Sequence, residues 1–518
     1  MFADRDWSTS REPWVGEEDV IADLDLETLW SAMAQGDRVA LESARAALLD
    51  GLRDPDEIRY RQAALDDCVA NAEVVRRIYA LAVDAVASQR SVYRGIFSNR
   101  GEALVRRSVK VIELLIGALR ELRAIADHDA ASFRSDAFTS FFETLRRELD
   151  DGFFDDVSEH LRQLRFRDGV FATAVLGNLG QGTGYVLRVP RRNHRILRLL
   201  PPAVKRPSFS WTIPARDDAA GQAMGDLRDR VLSLVANAVG QSTDHVVAFF
   251  TALRSELGFY IGCLNLRQRL AAKDEPLSMP DAQPAGSRAR AARGLYDPCL
   301  SLRIEERAQG NDLDADGKTL VIITGANQGG KSTFLRSIGL AQLMMQAGMF
   351  VAADRYGATV APRVLTHYKR PEDATMASGK FDEELARMST LVERLGAGDM
   401  LLCNESFAAT NEREGSEVAG EVIRALLDTG KVVVFVTHLY ELAHDLHQQQ
   451  RRDTLFLRAD RRDDGQRPFT ISEGAPLATS YAEDLYRRTF RPLETVGDQR
   501  AGGVRGGDQG RPEAPLGG

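Results

Sequence analysis

The sequence predicts an α+β multidomain protein: an N-terminal helical region with a β-rich insert, then a C-terminal α/β domain on a mainly parallel sheet. Three observations carry this. Apolar residues recur at helical spacing from about Leu24 to His160. Strand-like runs replace that pattern between about 166 and 215. Beyond residue 290, the short apolar runs Leu320–Thr324, Met400–Cys403 and Val432–Val436 alternate with helical stretches, the order of a parallel sheet.

Taken in order, residues 1–20 are polar and read as a flexible N-terminus. Residues 21–275 form the helical region. Its stripes include Val109, Ile112, Leu115, Leu119 and Leu122, and then Phe138, Phe142, Leu145 and Leu149; such stripes are helix-packing core. Inside it, Val170–Leu176 and Tyr185–Val189 flank the Gly-rich run Gly177–Gly184, two strands joined by turns within a β-rich insert at 166–215. Helical periodicity resumes from about Gly221 to Ala272. Pro276, Pro280, Pro284 and Gly286 mark 276–290 as a linker. The α/β domain occupies 291–492, and the Gly-rich tail 493–518 reads as disordered.

Bulk properties narrow the function classes. A chain of 518 residues, 44% hydrophobic, holds about two to four domains. A net charge of −8 excludes a bulk polycation, so any nucleic-acid contact comes from local basic patches. Cys68, Cys263, Cys299 and Cys403 lack CxxC spacing, which argues against a zinc site or disulfide framework and fits a reducing cytoplasm. The acids in Met1–Asp6 do not suit a secretory signal. Ile338–Ala353 carries no charge, but it follows a phosphate-binding loop and reads as buried core; no transmembrane span is read.

That loop is Gly325-Ala326-Asn327-Gln328-Gly329-Gly330-Lys331-Ser332-Thr333, directly after the strand run Leu320–Ile323 and opening a helix. Its glycines let backbone N–H groups approach phosphate oxygens, Lys331 reaches the β/γ-phosphates, and Ser332 holds Mg²⁺. The spacing therefore predicts an ATP·Mg²⁺ site. Nucleotide hydrolysis needs an acid at a neighbouring strand tip. Met400–Cys403 ends in Asn404-Glu405, making Glu405 the candidate general base. Asn404 stands where an aspartate usually organises the metal, and the neutral amide predicts weaker Mg²⁺ affinity and slow turnover. Val432–Val436 ends in Thr437-His438, which puts His438 where it can sense the γ-phosphate.

These pieces resemble the MutS family of DNA mismatch-repair ATPases. The loop Thr324–Thr333 follows the family's T-G-x-N-x-G-G-K-S-T. Asn404 to Gly415 follows its D-E-x-x-x-x-T-x-x-x-[DE]-G, Thr437 to Leu442 its T-H-[YF]-x-E-L, and Ser480-Tyr481 its S-Y. Asn311-Asp312 matches an N-D pair near the adenine pocket, and Asp54 to Gln62 follows D-P-x-x-I-x-x-R-Q at the start of the helical core. The resemblance implies a lever and clamp over the helical region and a P-loop, ABC-type ATPase domain behind it, closing as a head-to-tail homodimer. It implies nucleotide contacts from Gly325, Asn327, Gly329, Gly330, Lys331, Ser332, Thr333 and Asn311. Metal contacts fall to Ser332, Asn404 and Glu405, and catalytic roles to Glu405 and His438.

Against the family pattern, Asn404 replaces aspartate, Asn411 replaces serine, and Ser378-Gly379-Lys380-Phe381 replaces the partner-facing S-T-F loop. No length is left before Asp54 for a mismatch reader, and none after Tyr481 for a helix-turn-helix end, so a short member is expected. Arg188, Arg191, Arg192, Arg195 and Arg198 crowd the β-rich insert. By themselves they read as a solvated basic turn; in the MutS context they would grip duplex or branched DNA by its phosphates. The sequence thus predicts an ATPase coupled to DNA in repair or recombination. The rivals are a nucleotide-switched scaffold with little hydrolysis, and an ABC-type ATPase acting on a protein partner.

Overall fold

In the computed structural model, residues 2, 4–5, 7–93, 101–166, 170–176, 182–188, 212, 214, 217–326, 328–370, 379–460 and 468–477 are described. The helical region runs through α1 (Glu17–Asp23), α2 (Leu26–Ala34), α3 (Arg38–Leu49), α4 (Pro55–Ala70), α5 (Ala72–Tyr93), α6 (Gly101–Asp129), α7 (Asp136–Glu148) and α8 (Asp151–Leu164). Its starts are set locally. The Asp37, Asp54, Ser135 and Asp150 side chains each accept a backbone N–H of the helix they precede, and Pro55 occupies the first turn of α4, where no N–H partner is needed.

The β-rich insert is seen as one antiparallel hairpin, β1 (Ala172–Leu176) with β2 (Gly182–Leu187), bulged between Thr173 and Val175. Its second strand begins earlier than the aromatic run suggests. The 54-residue α9 (Asp218–Ala271) then runs back along α3, α5 and α6 as a spine. Among the described residues Val235–Ala271 is the one stretch long and apolar enough to cross a membrane, and half of its most apolar window is buried inside the protein.

Two stretches differ from their composition. The polar N-terminus is anchored: Trp7 is buried and stacks on Phe259 with centroids 6.0 Å apart, and Arg11 binds both Glu17 and Asp50. Arg5 pairs with Glu57, and Arg11 with Glu17 and Asp50, contacts that a count of polar residues does not reveal. The Pro-rich stretch 276–290 is not a free linker either. It carries β3 (Asp281–Gln283) and opens β4 (Arg290–Leu295), joined with β5 (Asn311–Asp314) and β7 (Arg355–Thr359) in a sheet ordered β3-β7-β4-β5. Pro280 lies just outside β3, and its carbonyl accepts from Gln62 Nε2 at 3.0 Å, tying the stretch to α4.

The remaining strands are β6 (Leu320–Thr324), β8 (Val364–Tyr368), β9 (Met400–Asn404), β10 (Val432–Val436), β11 (Thr454–Ala459) and β12 (Ile471–Glu473). They form a sheet ordered β12-β11-β6-β10-β9-β8, parallel except for β12. Alternate residues serve opposite faces: Val321, Ile323, Leu402 and Val434 join the large core shared with the N-terminal helices, while Leu320, Ile322, Leu401 and Phe435 join a second core. The helix α10 (Pro298–Arg303) lies between β4 and β5, and the helices between the strands of this sheet are α11 (Lys331–Gln346), α12 (Lys380–Arg394), α13 (Glu412–Asp428) and α14 (Tyr440–Gln448).

The second core lies under α12, α13 and α14. On the first, α11 is covered by the sheet on one side and by α3 on the other. That sandwich accounts for the uncharged run 338–353, every residue of which is buried. A Cβ on Gly339 would lie 2.6 Å from Leu402 and 2.8 Å from Leu24, so α11 sits closer to both than any larger residue allows.

Candidate nucleotide site

Parallel strands put their C-terminal tips on one edge, and the register aligns those tips. Tyr368 pairs with Asn404, Asn404 with Val436, and Val436 with Ile323. One residue further on, Lys369, Glu405, Thr437 and Thr324 therefore form a row across β8, β9, β10 and β6, with neighbouring strands about 4.8 Å apart. Backbone bonds hold the row: Lys369 N–H donates to Asn404 O at 3.0 Å, Glu405 N–H to Val436 O at 2.9 Å, and Thr437 N–H to Ile323 O at 3.1 Å.

The phosphate loop leaves β6 at this edge. Gly325 has φ +115°, and a Cβ there would stand 2.9 Å from the Ala459 backbone N, so only glycine fits the exit. Lys331 opens α11 almost fully buried, its ammonium donating to the carbonyls of Gly325 at 2.8 Å and Ala326 at 3.0 Å. Ser332 Oγ donates to Asn404 Oδ1 at 2.8 Å, joining the loop to the tip of β9. His438 Nδ1 lies 4.0 Å from Glu405 Oε1. A cavity of about 860 Å³ opens over the loop, lined by Gly329, Gly330, Lys331, Ser332, Thr333 and Glu405. A second, of about 360 Å³, holds Gly325, Lys369, Glu405, Thr437 and His438, so Glu405 borders both.

Glu405 sits on a strained turn, with φ +55° at Glu405 and +66° at Phe407. A buried polar network holds it. Phe407 N–H donates to Glu384 Oε1 of α12 at 2.7 Å. His367 places Nδ1 2.7 Å from Ser406 Oγ and Nε2 3.3 Å from the Glu384 carbonyl. Burial, and then the Arg387 charge, push the His367 imidazole down to about 3, so it stays neutral. Burial raises the Glu384 carboxyl, with the Phe407 N–H opposing.

Away from the loop the larger cavity is lined by Tyr296, Leu300, Ile304, Pro468 and Phe469, interleaved with Asp297, Glu306, Arg307 and Gln309. Asn311 lines it too, but its carboxamide holds the adjoining chain: Nδ2 donates to Phe469 O at 3.2 Å and Oδ1 accepts Ile471 N–H at 2.7 Å. Phe469, half exposed at φ +58°, is a residue sequence reasoning missed. It follows a polar run and carries no periodic signal. Tyr296 was missed as well; its hydroxyl is buried without a partner, and burial raises its pKa far above the usual tyrosine value.

The structure thus brings together Gly325, Gly329, Gly330, Lys331, Ser332, Thr333, Asn404, Glu405 and His438, with Asn311 at the cavity's far wall. Asn327, Ser378, Ser480, Tyr481, Arg191, Arg192, Arg195 and Arg198 lie outside the described residues. Arg188 is exposed just past β2, its Nε 3.3 Å from Thr173 Oγ1. Among the described residues no three His, Cys, Asp or Glu side chains cluster as a metal site.

Comparison with known proteins falls on these same two regions. Residues 53–273 match the MutS2 N-terminal domain and residues 321–484 match MutS domain V. The DNA mismatch repair protein MutS of Prochlorococcus marinus is 31% identical over 161 residues, 30% of this chain and 18% of that relative. MutS protein homolog 4 of Mus musculus is 28% identical over 201 residues, 37% of this chain and 21% of the relative. For MutS of Chloroflexus aurantiacus the figures are 31% over 150 residues, 28% of this chain and 16% of the relative. Each match spans about a fifth of the relative's length. The helical region and the sheet domain answer in turn to an N-terminal and an ATPase-type domain of one lineage, and the chain belongs to the MutS family.

Proposed function

We propose that this protein is an ATPase that binds and hydrolyses ATP with Mg²⁺ and couples the cycle to gripping DNA, in repair or recombination in the cytoplasm. One observation carries the reading: the aligned row of strand tips that sets Glu405 and His438 beside the loop of Lys331 and Ser332. The triphosphate would displace the Gly325 and Ala326 carbonyls from the Lys331 ammonium, which then meets the β- and γ-phosphates. Glu405 would accept a proton from the attacking water as the new O–P bond forms and the bond to ADP breaks. His438, on the next strand tip, would hydrogen-bond the γ-phosphate and orient that water.

Ser332, Asn404 and Glu405 fit Mg²⁺, which draws its other ligands from phosphate and water and needs no cage of acids. When bound, the ion screens the phosphate charge. The neutral Asn404 weakens its hold and favours slow turnover. The same residue supports the second reading, a nucleotide-switched scaffold.

The grip is assigned to the β-rich insert, with Arg188, Arg191, Arg192, Arg195 and Arg198 on DNA phosphates, and the two sites would close as a homodimer through the ATPase domain. The test is binding of paired, mismatched and branched duplexes with and without ATP, across a salt series. Phosphate contacts predict an affinity that falls steeply with salt and is weakened by Arg191→Ala/Arg192→Ala. Absent or salt-insensitive binding would leave a protein partner as the cargo.

A further inference from the structure

Among the described residues the strand-tip row carries one cation, Lys369, that no carboxylate pairs directly. Lys369 follows β8 directly, and its backbone N–H donates to the Asn404 carbonyl at 3.0 Å, so its Cα is fixed one strand spacing from Glu405. Its neighbours are engaged elsewhere. The Tyr368 carbonyl accepts from Arg387, and the Arg370 guanidinium pairs with Asp19 on α1. Lys369 itself is exposed, and among the described residues its ammonium pairs with no carboxylate. It lines the 360 Å³ cavity with Glu405, Thr437 and His438.

The strand position just before Glu405 is neutral. Asn404 contributes an uncharged amide, and its Oδ1 is occupied by Ser332 Oγ. Lys331 sits on the loop side of Glu405 and Lys369 on the opposite side. A terminal phosphate delivered over the loop toward Glu405 would therefore have an ammonium on each flank.

We propose that Lys369 is a second phosphate-binding lysine, supplied by the same chain, that contacts the terminal phosphate of a nucleoside triphosphate and distinguishes it from the diphosphate. This rests on the nucleotide reading of the site. Gly329 to Thr333 of the loop line the larger cavity and Lys369 the smaller, with Glu405 bordering both, so the contact is assigned to the third phosphate, the one nearest Glu405. The lysine adds positive charge where Asn404 weakens the metal, so the triphosphate depends less on Mg²⁺ for its hold.

The competing role is structural: the Lys369 charge favours the ionised form of Glu384, the acid that braces the Glu405 turn. The two roles separate by ligand. Binding of the non-hydrolysable adenylyl-imidodiphosphate and of ADP is measured by titration calorimetry on the full chain, for wild type, Lys369→Met and Lys369→Arg, with thermal unfolding alongside. The expected result is about tenfold weaker triphosphate-analogue binding in Lys369→Met, the size of one charge-assisted contact, with ADP changed less than about twofold. Lys369→Arg should recover most of the loss. Equal effects on both ligands, or none on either, would overturn the assignment while leaving the nucleotide site intact. If wild type bound neither ligand, the nucleotide reading would fall and this inference with it.

Discussion

His367 and Glu405 stand at opposite ends of what a residue's neighbours in sequence disclose. Glu405 was legible because a strand run ending in a polar pair, downstream of a phosphate loop, has few other uses. His367 gave no signal: it ends an ordinary apolar run, and its partners Ser406 and Glu384 come from distant segments. Its burial has a measurable consequence. The folded imidazole titrates near 3 against an ordinary 6.5, so between those values the unfolded chain binds a proton that the folded one refuses. This contribution to stability is whole above about pH 6.5 and shrinks as pH falls toward 3. Denaturant unfolding at pH 7 and pH 5 should show a larger acid loss in wild type than in His367→Gln. Equal losses would mean that the ring is protonated in the fold. Lys369 and Phe469 escaped for the same reason as His367: topology, not local pattern, brings them to the site.

At the scale of elements, period and composition identified β6, β9 and β10 and the two helical stretches in which α2–α9 fall, without dividing those stretches into separate helices. The short strands β3, β5, β7 and β12 were not visible. Their exposed positions dilute the alternation, and the prolines around β3 resemble a linker. The element that bears most directly on the proposed base is α12. Its Glu384 accepts the Phe407 N–H and so fixes the turn that aims Glu405, two residues away. If the proposed homodimer forms with the 378–381 stretch toward the partner subunit, α12 would link that contact to the proposed base. Glu384→Ala should lower kcat by about ten- to a hundredfold, since a displaced base loses the aligned geometry, while nucleotide affinity changes less than about threefold. Steady-state hydrolysis with parallel binding decides it; an unchanged kcat would show that the turn holds itself.

The whole molecule is organised around α11, the helix that begins at the phosphate loop and ends against the N-terminal region. At its far end the buried Arg61 of α4 donates to the Ala347 carbonyl at 3.0 Å, with its guanidinium over the rings of Phe2 and Trp7. One core unites the sheet with the N-terminal helices, and a smaller cluster of Val105, Val109, Leu161 and Leu232, touched by Ile112 and Val157 from the first, carries the packing on toward the β1–β2 hairpin. The proline pattern at 276–290 suggested a linker between the helical region and the α/β domain; long-range pairs such as Arg61 with Ala347 and Gln62 with Pro280 tie them together, and no local window contains both partners. All of this presupposes that the strand-tip row performs hydrolysis. The direct test is phosphate release from ATP with Mg²⁺ by the full chain, wild type against Glu405→Gln, with ATP binding measured on both. The account predicts slow but definite turnover in wild type and a fall of about a hundredfold or more in the variant, with binding preserved. Equal phosphate release from the two proteins would contradict it.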